Sequence, residues 1–201
     1  NFFIPGGGLS VLLGNGDFTF QTAVTYADGA KPTALTLSDF NQDGRLDIAM
    51  ANINNGLASS GQISILLGNP NGSFQNPVNY STVGANPRAL AVGDLNADGI
   101  PDLAAFNNSR DTAILIGTGT GTFRPAVNYF TRGDGLLSGP IGVAIGDFNN
   151  DGHADLIASS TLLHGFGDGT FPNRQLITYI PPEVSNDFGT SAPAEVAAGD
   201  L

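Results

Sequence analysis

The sequence predicts an all-β fold: a β-propeller of four-stranded antiparallel blades, present as a partial ring of about 3.75 blades. Two interlocking repeats carry this prediction. One is an acidic nonapeptide that begins at Asp39, Asp94 and Asp147, so that successive copies start 55 and 53 residues apart. The other is a glycine-containing turn that ends in phenylalanine. Its copies lie at 12–20, 66–74, 115–123 and 162–171.

Short apolar runs of strand length separate these repeats, and we name the four strands of a unit A to D. In the first complete unit, the pattern places strand A at about 33–39, B at about 47–53, C at about 62–68 and D at about 77–82. Four strands in roughly fifty residues are typical of one propeller blade. Along strand A, small residues alternate with large apolar ones, so both faces of the strand are expected to be covered by neighbouring blades.

The whole chain, 1–201, is predicted to form one propeller region. Residues 1–28 supply strands C and D of a first blade. Three complete blades follow at 29–83, 84–131 and 132–182, and residues 183–201 supply a loop and the first strand of a further blade. Apolar blade faces at the two ends predict that further blades, from the same parent chain or another chain, complete the ring.

Each turn is followed by a short strand that ends near a tyrosine, at Tyr26, Tyr80, Tyr129 and Tyr179. The fourth turn aligns as one residue longer than the others, with His164 where the others have glycine. The fourth D strand is therefore expected to run over Leu176-Ile177-Thr178-Tyr179.

The acidic nonapeptide has the pattern Asp-x-Asn-x-Asp-Gly-x-x-Asp, which puts side-chain oxygens at positions 1, 3, 5 and 9. Ca²⁺ takes six to eight oxygen ligands in flexible geometry, whereas Mg²⁺ requires near-ideal octahedral geometry. Position 7 has unlike side chains, so we expect it to contribute its backbone carbonyl oxygen. The predicted Ca²⁺ ligands are Asp39, Asn41, Asp43, Arg45 (backbone O) and Asp47; Asp94, Asn96, Asp98, Ile100 (backbone O) and Asp102; and Asp147, Asn149, Asp151, His153 (backbone O) and Asp155. A fourth site begins at Asp200.

Two other interpretations of the nonapeptide are less favoured. Asn, Asp and Gly also favour plain turns, but three copies of equal length disfavour that explanation. An EF-hand needs a twelve-residue loop ending in Glu between two helices. Here the loop ends at Asp and continues into a short apolar run such as Ile48-Ala49-Met50-Ala51, which is typical of a strand.

The nonapeptide, the turn and the strand that follows resemble the FG-GAP or VCBS repeat, which occurs in integrin α-subunit propellers and in many secreted bacterial proteins. The resemblance covers essentially the whole chain. It implies that the nonapeptides bind Ca²⁺ through the residues named above. The chain departs from the family in holding fewer blades than its propellers usually close.

Composition excludes several classes of function. A formal net charge of −11 argues against nucleic acid as a partner, because phosphates require Lys and Arg. Three bound Ca²⁺ ions would add six positive charges and bring the net charge to about −5. No apolar run is long enough to span a bilayer, so no transmembrane segment is predicted. The opening Asn1-Phe2-Phe3 is interpreted as an internal start rather than a signal peptide, and the module is expected to be secreted or at the cell surface.

Any partner is expected at the end of the blades opposite the nonapeptides. Antiparallel order puts the B–C and D–A connections there, and these vary widely in length, whereas the nonapeptides are all equal and the turns differ by one residue. Insertions within repeats often mark a binding face, although surface loops also tolerate insertions without function. The sequence places a protein or glycan ligand around 52–61, 107–111, 130–140 and 180–194.

No catalytic site is predicted. His153 and His164 are not accompanied by Cys or clustered Glu, and Glu183 and Glu195 are isolated from each other. Arg132-Gly133-Asp134 spells an integrin-recognition tripeptide, which we attribute to chance. The predicted function is a non-enzymatic, extracellular calcium-binding propeller for adhesion or for protein or glycan binding. The alternative is an accessory propeller region of a larger secreted enzyme.

Overall fold

The computed structural model describes residues 8–26, 31–53, 61–131 and 142–177. The regular elements in these ranges are β-strands. In chain order they are β1 (Leu9–Val11), β2 (Val24–Tyr26), β3 (Lys31–Ser38), β4 (Asp47–Ile53), β5 (Gly61–Leu66), β6 (Val78–Ser81), β7 (Pro87–Gly93), β8 (Asp102–Asn107), β9 (Asp111–Leu115), β10 (Val127–Phe130), β11 (Val143–Gly146), β12 (Asp155–Ala158), β13 (Thr161–His164) and β14 (Asn173–Leu176).

The strands form three antiparallel four-stranded sheets and one two-stranded sheet. The larger sheets have the orders β3-β4-β5-β6, β7-β8-β9-β10 and β11-β12-β13-β14, and β1 pairs with β2. Each larger sheet is a blade whose strands A to D follow chain order, which confirms the all-β fold class. The two-stranded sheet holds strands C and D of the first blade.

The B strands lie in the middle of the protein because their sequences are apolar or small on both faces. Every residue of β8 is buried, and so is every residue of β4 except its last, Ile53. The A strands beside them carry a register shift next to a proline, at Pro32 and at Pro87. Proline has no backbone N–H to donate to the ladder, so the regular register breaks there.

Blades pack face to face around two main apolar clusters. Phe40, Ile63 and Ile65 of the first complete blade pack against Leu103 and Leu115 of the second. The second and third complete blades meet in an equivalent cluster that contains Leu95, Phe106, Ile114, Leu156, Leu163 and Phe171. Since the large residues of one blade fill the small-residue face of its neighbour, the core lies between the sheets.

An aromatic pair joins each blade to the next. Each D-strand tyrosine meets the phenylalanine of the following C–D turn edge to face, with ring centroids 5.5–5.7 Å apart. The pairs are Tyr26–Phe74, Tyr80–Phe123 and Tyr129–Phe171. In the first pair, the phenylalanine N–H also donates a hydrogen bond to the tyrosine Oη at 2.9 Å.

The fourth turn departs from the predicted alignment. The N–H of Gly165 donates to the carboxylate of Asp155 at 2.9 Å, as Gly68 and Gly117 do to the equivalent aspartates of their blades. Gly165 is therefore the equivalent glycine, the copy runs over 163–171 without an extra residue, and His164 precedes the glycine. Leu162 and Leu163 are both apolar, so the sequence pattern alone allowed the turn to be aligned from either residue.

The fourth D strand is displaced for the same reason. It lies at Asn173–Leu176, earlier than the predicted run from Leu176 to Tyr179. Ile177, whose N–H donates to the carbonyl of Ser160, takes the place that the sequence analysis gave to Tyr179. Tyr179, the predicted last strand and Asp200 lie outside the described residues.

Candidate metal centre

The three nonapeptides connect strands A and B in the three complete blades, between β3 and β4, β7 and β8, and β11 and β12. We call them loop 1 (39–47), loop 2 (94–102) and loop 3 (147–155). Each turns sharply through two left-handed residues. One is the glycine at position 6, with φ of 77–86°, and the other is a non-glycine residue at position 4, with φ of 56–59°. The position-4 residues are Gln42, Ala97 and Asn150.

A repeated hydrogen-bond network holds the acidic side chains inside each loop. In loop 1, the two carboxylate oxygens of Asp39 accept the N–H groups of Asp43 (3.0 Å) and Gly44 (2.7 Å). The side-chain oxygen of Asn41 also accepts the N–H of Asp43, and its amide donates to the Asp43 carboxylate at 2.9 Å. Loops 2 and 3 repeat every one of these bonds within 0.3 Å. The loop geometry therefore follows from the residue pattern and not from its surroundings.

The aspartate at position 9 joins the loop to the C–D turn of its own blade. Asp47 is fully buried and accepts the N–H of Phe40 at 2.9 Å and that of Gly68 at 2.7 Å. Asp102 does the same with Leu95 and Gly117. Asp155 accepts Phe148 and Gly165 in loop 3. Sequence analysis treated this aspartate as a metal ligand and missed its role as a link. The sequence did contain a signal for this link, because every nonapeptide is followed by a C–D turn that contains the glycine to which its last aspartate bonds.

The carboxylates of a loop influence one another's protonation. Burial raises the pKa of Asp102 to about 6, and the nearby charges of Asp98 and Asp94 add to this, while its two amide hydrogen bonds act in the opposite direction. Burial likewise raises the pKa of Asp47, with Asp43 and Asp39 contributing. Each of these two loops thus contains three carboxylates close enough to repel when all are ionised.

In loops 1 and 3, the carboxylate at position 5 has the opposite shift. In loop 3, hydrogen bonds from the His153 N–H and the Asn149 amide lower the pKa of Asp151. In loop 1, desolvation opposes the shift, but hydrogen bonds from Asn41 and Arg45 and the Arg45 charge lower the pKa of Asp43. This carboxylate therefore remains ionised at neutral pH.

Residues at position 7 and on the adjoining strand make the three loops different. In loop 1, Arg45 Nη2 lies 2.7 Å from the Asp43 carboxylate. Loop 2 has the uncharged Ile100 at that position. In loop 3, His164 Nδ1 is 3.6 Å from the Asp155 carboxylate and 3.4 Å from the Asn149 amide nitrogen. The sequence analysis did not anticipate either side-chain contact, because it considered only the backbone carbonyl of Arg45, and His164 lies outside the nonapeptide on β13.

Loops 1 and 2 are also held by the next blade. The N–H of Gly121 donates to the carbonyl of Phe40 at 3.0 Å, and that of Gly169 donates to the carbonyl of Leu95 at 3.1 Å. The side-chain amide of Gln42 reaches the carbonyl of Gly99 at 3.1 Å and so links loop 1 to loop 2. The loops are thus part of the blade interface and are not free surface turns.

The structure brings the predicted ligand side chains of each nonapeptide together in one loop. No group of three or more His, Cys, Asp or Glu side chains in 8–26, 31–53, 61–131 or 142–177 already has the arrangement of a metal site. At positions 1 and 9, each carboxylate oxygen accepts one backbone N–H group and keeps a further lone pair. Within a loop, the side-chain donors at positions 1, 3, 5 and 9 are all oxygen atoms. Such a set fits a hard cation such as Ca²⁺ rather than a metal that prefers nitrogen or sulfur.

The opposite end of the blades is partly described. Residues 107–111 form a tight turn in which Asn107 donates to the Asp111 carboxylate at 2.6 Å. The N–H of Asn108 donates to the carbonyl of Ala85, and the Ser109 hydroxyl accepts the N–H of Ala85 at 3.0 Å. This part of the predicted partner face is therefore a fixed platform. Most of the other predicted partner loops, together with Arg132-Gly133-Asp134, lie outside the described residues.

Comparison with protein families identifies the repeat. The sequence model of the FG-GAP-like repeat matches residues 2–50, 55–105 and 94–158. The first two matches begin ahead of strand C of one blade and end in strand B of the next. The third begins with loop 2 and ends in strand B of the third complete blade, so the sequence repeat is offset from the structural blade. A search of the curated proteins finds no match to the chain. Among the described residues, no helix is long and apolar enough to cross a membrane. With the repeat matched over most of its length and folded into stacked four-stranded blades, the chain belongs to the FG-GAP-like repeat family.

Proposed function

We propose that loops 1, 2 and 3 each bind one Ca²⁺ ion and that this metal is structural. One observation carries the proposal: three separate nonapeptides hold their acidic side chains in the same network, and in loops 1 and 2 burial raises the pKa of the position-9 aspartate, with repulsion from the two neighbouring carboxylates adding to the rise. A divalent cation would neutralise that repulsion. The residues that would hold it are the predicted ligands at positions 1, 3, 5, 7 and 9 of each loop.

Calcium-dependent unfolding tests this proposal. Thermal melting is measured by calorimetry in excess Ca²⁺, in excess Mg²⁺ and in chelator. At a hundredfold excess of Ca²⁺ over Kd, each independent site adds about 2.7 kcal/mol to the free energy of unfolding. We expect a large rise of the melting temperature with Ca²⁺ and a smaller rise with Mg²⁺. A melting temperature that is the same in Ca²⁺ and in chelator would overturn the proposal.

Loop 1 offers a matched variant for the same titration. The Arg45 guanidinium pairs with the Asp43 carboxylate and places a positive charge beside the proposed ion. Loop 2 has isoleucine at that position. We expect Arg45→Ile to increase the Ca²⁺ affinity of loop 1 severalfold, measured by isothermal titration in a background where loops 2 and 3 carry Asp98→Asn and Asp151→Asn. An unchanged or weaker affinity would show that Arg45 does not oppose the cation.

We further propose that the propeller is a non-enzymatic extracellular module that binds protein or glycan on the face opposite the loops. Calcium sites of extracellular modules often have Kd near 10⁻⁴–10⁻³ M, which only external calcium saturates. The rigid platform at 107–111 and the exposed Val83 beside it support this face as the contact surface. Binding is tested on glycan and protein arrays. Val83→Asp should weaken a specific interaction, whereas Val127→Asp on the outer strand β10 should not.

An accessory region of a larger secreted enzyme is the second candidate. In the one histidine–carboxylate contact of the described residues, the Asp155 carboxylate already accepts two backbone N–H groups, so it serves the fold and leaves catalysis to another region of such an enzyme. Incubating the chain with glycans and esters tests the non-enzymatic part of the proposal. Turnover that survives purification would overturn it, and saturable binding without turnover would support it.

A further inference from the structure

Positively charged side chains collect around Pro87, at the end of the blades opposite loops 1, 2 and 3. Arg88 follows Pro87 directly in β7. Asn107 pairs with Pro87 across β7 and β8, and its carbonyl accepts the N–H of Arg110 at 3.1 Å. Arg88 and Arg110 thus flank the same point of the blade, although one lies in strand A and the other in the B–C turn.

A third positive charge comes from the first complete blade. Lys31 begins β3, and two residues further on the Thr33 hydroxyl donates to the carbonyl of Pro87 at 2.6 Å. The starts of β3 and β7 therefore lie side by side. We call Lys31, Arg88 and Arg110 the cationic patch.

The described carboxylates do not neutralise the cationic patch. The ion pairs within the described residues lie in loop 1 and beside loop 3, and none of them involves the patch. Asp111 is next to Arg110 in sequence, but its carboxylate already accepts the side-chain amides of Asn107 at 2.6 Å and Asn128 at 3.0 Å. The other carboxylates of the described residues belong to the nonapeptides and the C–D turns at the opposite end. The described part of this end therefore has excess positive charge, in a chain whose formal net charge is −11.

The backbone around the patch has unfavourable conformations. Val83, Asn86 and Arg110 have φ of 59°, 53° and 72°. A left-handed φ is costly for a residue with a side chain, and most of all for a β-branched one such as valine. Arg88 is the extra residue at the register shift of β7, and a bulge of this kind redirects a side chain. Strained residues persist at ligand-binding sites when the surrounding structure enforces them.

Close contacts hold the strained segment in place. The carbonyl of Gly84 accepts the N–H of Gly61 at 2.8 Å and the hydroxyl of Thr82 at 3.0 Å. A Cβ added at Gly84 would lie 2.4 Å from Nδ2 of Asn107 and 2.5 Å from the Asp111 carboxylate. The segment cannot relax without opening the interface between the two blades, so the patch is preorganised for a ligand.

The side chains around the patch favour one class of anionic partner. Protein interfaces are centred on aromatic and other apolar anchor residues. Residues 83–88 and 107–111 contain no aromatic residue, and Val83 is their only exposed large apolar side chain. Asn108 and Ser109 add exposed amide and hydroxyl groups. The guanidinium fork matches oxyanions such as carboxylate, while amides and hydroxyls can bond to the uncharged hydroxyls of a sugar.

We propose that the cationic patch binds an anionic glycan through carboxylate or sulfate groups on its sugars. Arg88 and Arg110 donate paired hydrogen bonds to these groups, and Lys31 adds the third positive charge. Asn108 and Ser109 bond to sugar hydroxyls. This inference rests on the proposed partner face and names the class of its ligand, and it does not depend on calcium binding by the loops.

Titration of the full chain with defined oligosaccharides tests the proposal. The probes are a uronic acid hexamer, a sulfated glucan hexamer and an uncharged glucan hexamer, each measured by calorimetry at low salt. We expect at least one anionic probe to bind about tenfold or more tightly than the uncharged one, and added salt to weaken that binding. The two anionic probes distinguish carboxylate from sulfate recognition. Hexaglutamate that binds as tightly as the anionic glycans would overturn the assignment to a glycan.

Matched variants locate the binding site. Arg88→Thr introduces the residue that the first complete blade has at the same register shift, Thr33. Arg110→Asn removes the charge but keeps a residue type that tolerates a left-handed φ. Each should weaken binding of the preferred anionic probe about tenfold, because charge-assisted hydrogen bonds are lost. Arg124→Thr removes an exposed charge beside the C–D turn and should leave the affinity unchanged. Melting temperatures of the variants show whether each remains folded.

The outcomes separate this inference from the broader proposals. Equal affinities of Arg88→Thr, Arg110→Asn and the parent, or no preference for an anionic probe, would overturn it. If a protein or the uncharged glucan binds instead, and Val83→Asp weakens that binding, the partner face stands and only the anionic class is wrong. Each titration is made in Ca²⁺ and in chelator, so that failure of the calcium proposal is recognised separately.

Discussion

Phe18 stands at a turn position that the three other C–D turns fill with glycine. Its φ of 68° lies in the left-handed region, beside values of 78°, 74° and 80° for Gly72, Gly121 and Gly169. The Phe18 side chain is fully exposed, so no packing in the described part of the chain offsets the strain. We expect Phe18→Gly to raise the free energy of unfolding by about 0.5–1 kcal/mol, since a side chain costs about 1–2 kcal/mol in that region and glycine loses some of this gain through entropy.

Urea unfolding in chelator measures the effect without a calcium contribution. Thr19→Gly in the same turn is the control. It should destabilise the protein, because glycine removes the Thr19 hydroxyl, which accepts a hydrogen bond from the Asn15 side-chain amide at 2.8 Å and donates one to the Asp17 carboxylate. A Phe18→Gly variant less stable than the parent would contradict the strain argument.

The glycine that opens each C–D turn joins one hairpin of a blade to the other. The N–H of Gly117 donates to Asp102 at 2.7 Å, and a Cβ at this glycine would lie 2.4 Å from the carbonyl oxygen of Pro101. We expect Gly117→Ala to cost about 1–3 kcal/mol, because backbone must move to relieve the contact. Gly14 has the same repeat position, but nothing lies within 4 Å of a Cβ there. Gly14→Ala should change stability by less than about 0.5 kcal/mol in the same urea experiment. Equal losses would show that the turn, and not the contact, sets the cost.

Much of each blade was predictable because the repeats constrain one another. The last aspartate of the nonapeptide correctly predicted where the B strand begins, at Asp47 for β4 and at Asp102 for β8. The fourth D strand was displaced because two adjacent leucines, Leu162 and Leu163, satisfied the pattern equally. Only the hydrogen bond from Gly165 to Asp155 decides between them. Repetition thus predicts elements well where a residue with a unique role marks the register.

The interior of the loops was less predictable than their outline. The glycine at position 6 signalled one left-handed residue, but Gln42 and Ala97 at position 4 also have positive φ without any glycine to signal it. The surrounding N–H groups bond to carboxylates at both sides of position 4 and impose its conformation. The sequence could indicate oxygen donors at suitable spacing, yet it could not show that those oxygens also organise the backbone.

At the scale of the whole molecule, stability depends on contacts between successive blades. Repeat architectures approximate a sum of single-unit terms and nearest-neighbour interface terms. In the two interfaces between complete blades, a tyrosine from one blade packs with the position-2 residue of the nonapeptide in that blade and with a phenylalanine from the next blade. Phe123 meets both Tyr80 and Phe40, with ring centroids 5.5 Å away in each pair. Phe123 of the second complete blade thus contacts both the nonapeptide and the outer strand of the first complete blade.

Two phenylalanines at the same repeat position test this organisation. Phe123 is 8% exposed at a complete interface, and Phe20 is 65% exposed on the first blade. We expect Phe123→Ala to cost about 3–5 kcal/mol in urea unfolding, because it removes a large buried side chain and leaves a cavity between two blades. Phe20→Ala should cost less than about 1 kcal/mol, since its ring has no such neighbours in the described structure. Equal losses for the two variants would mean that the turn stabilises its own blade, and that blade stacking contributes little to the stability of the molecule.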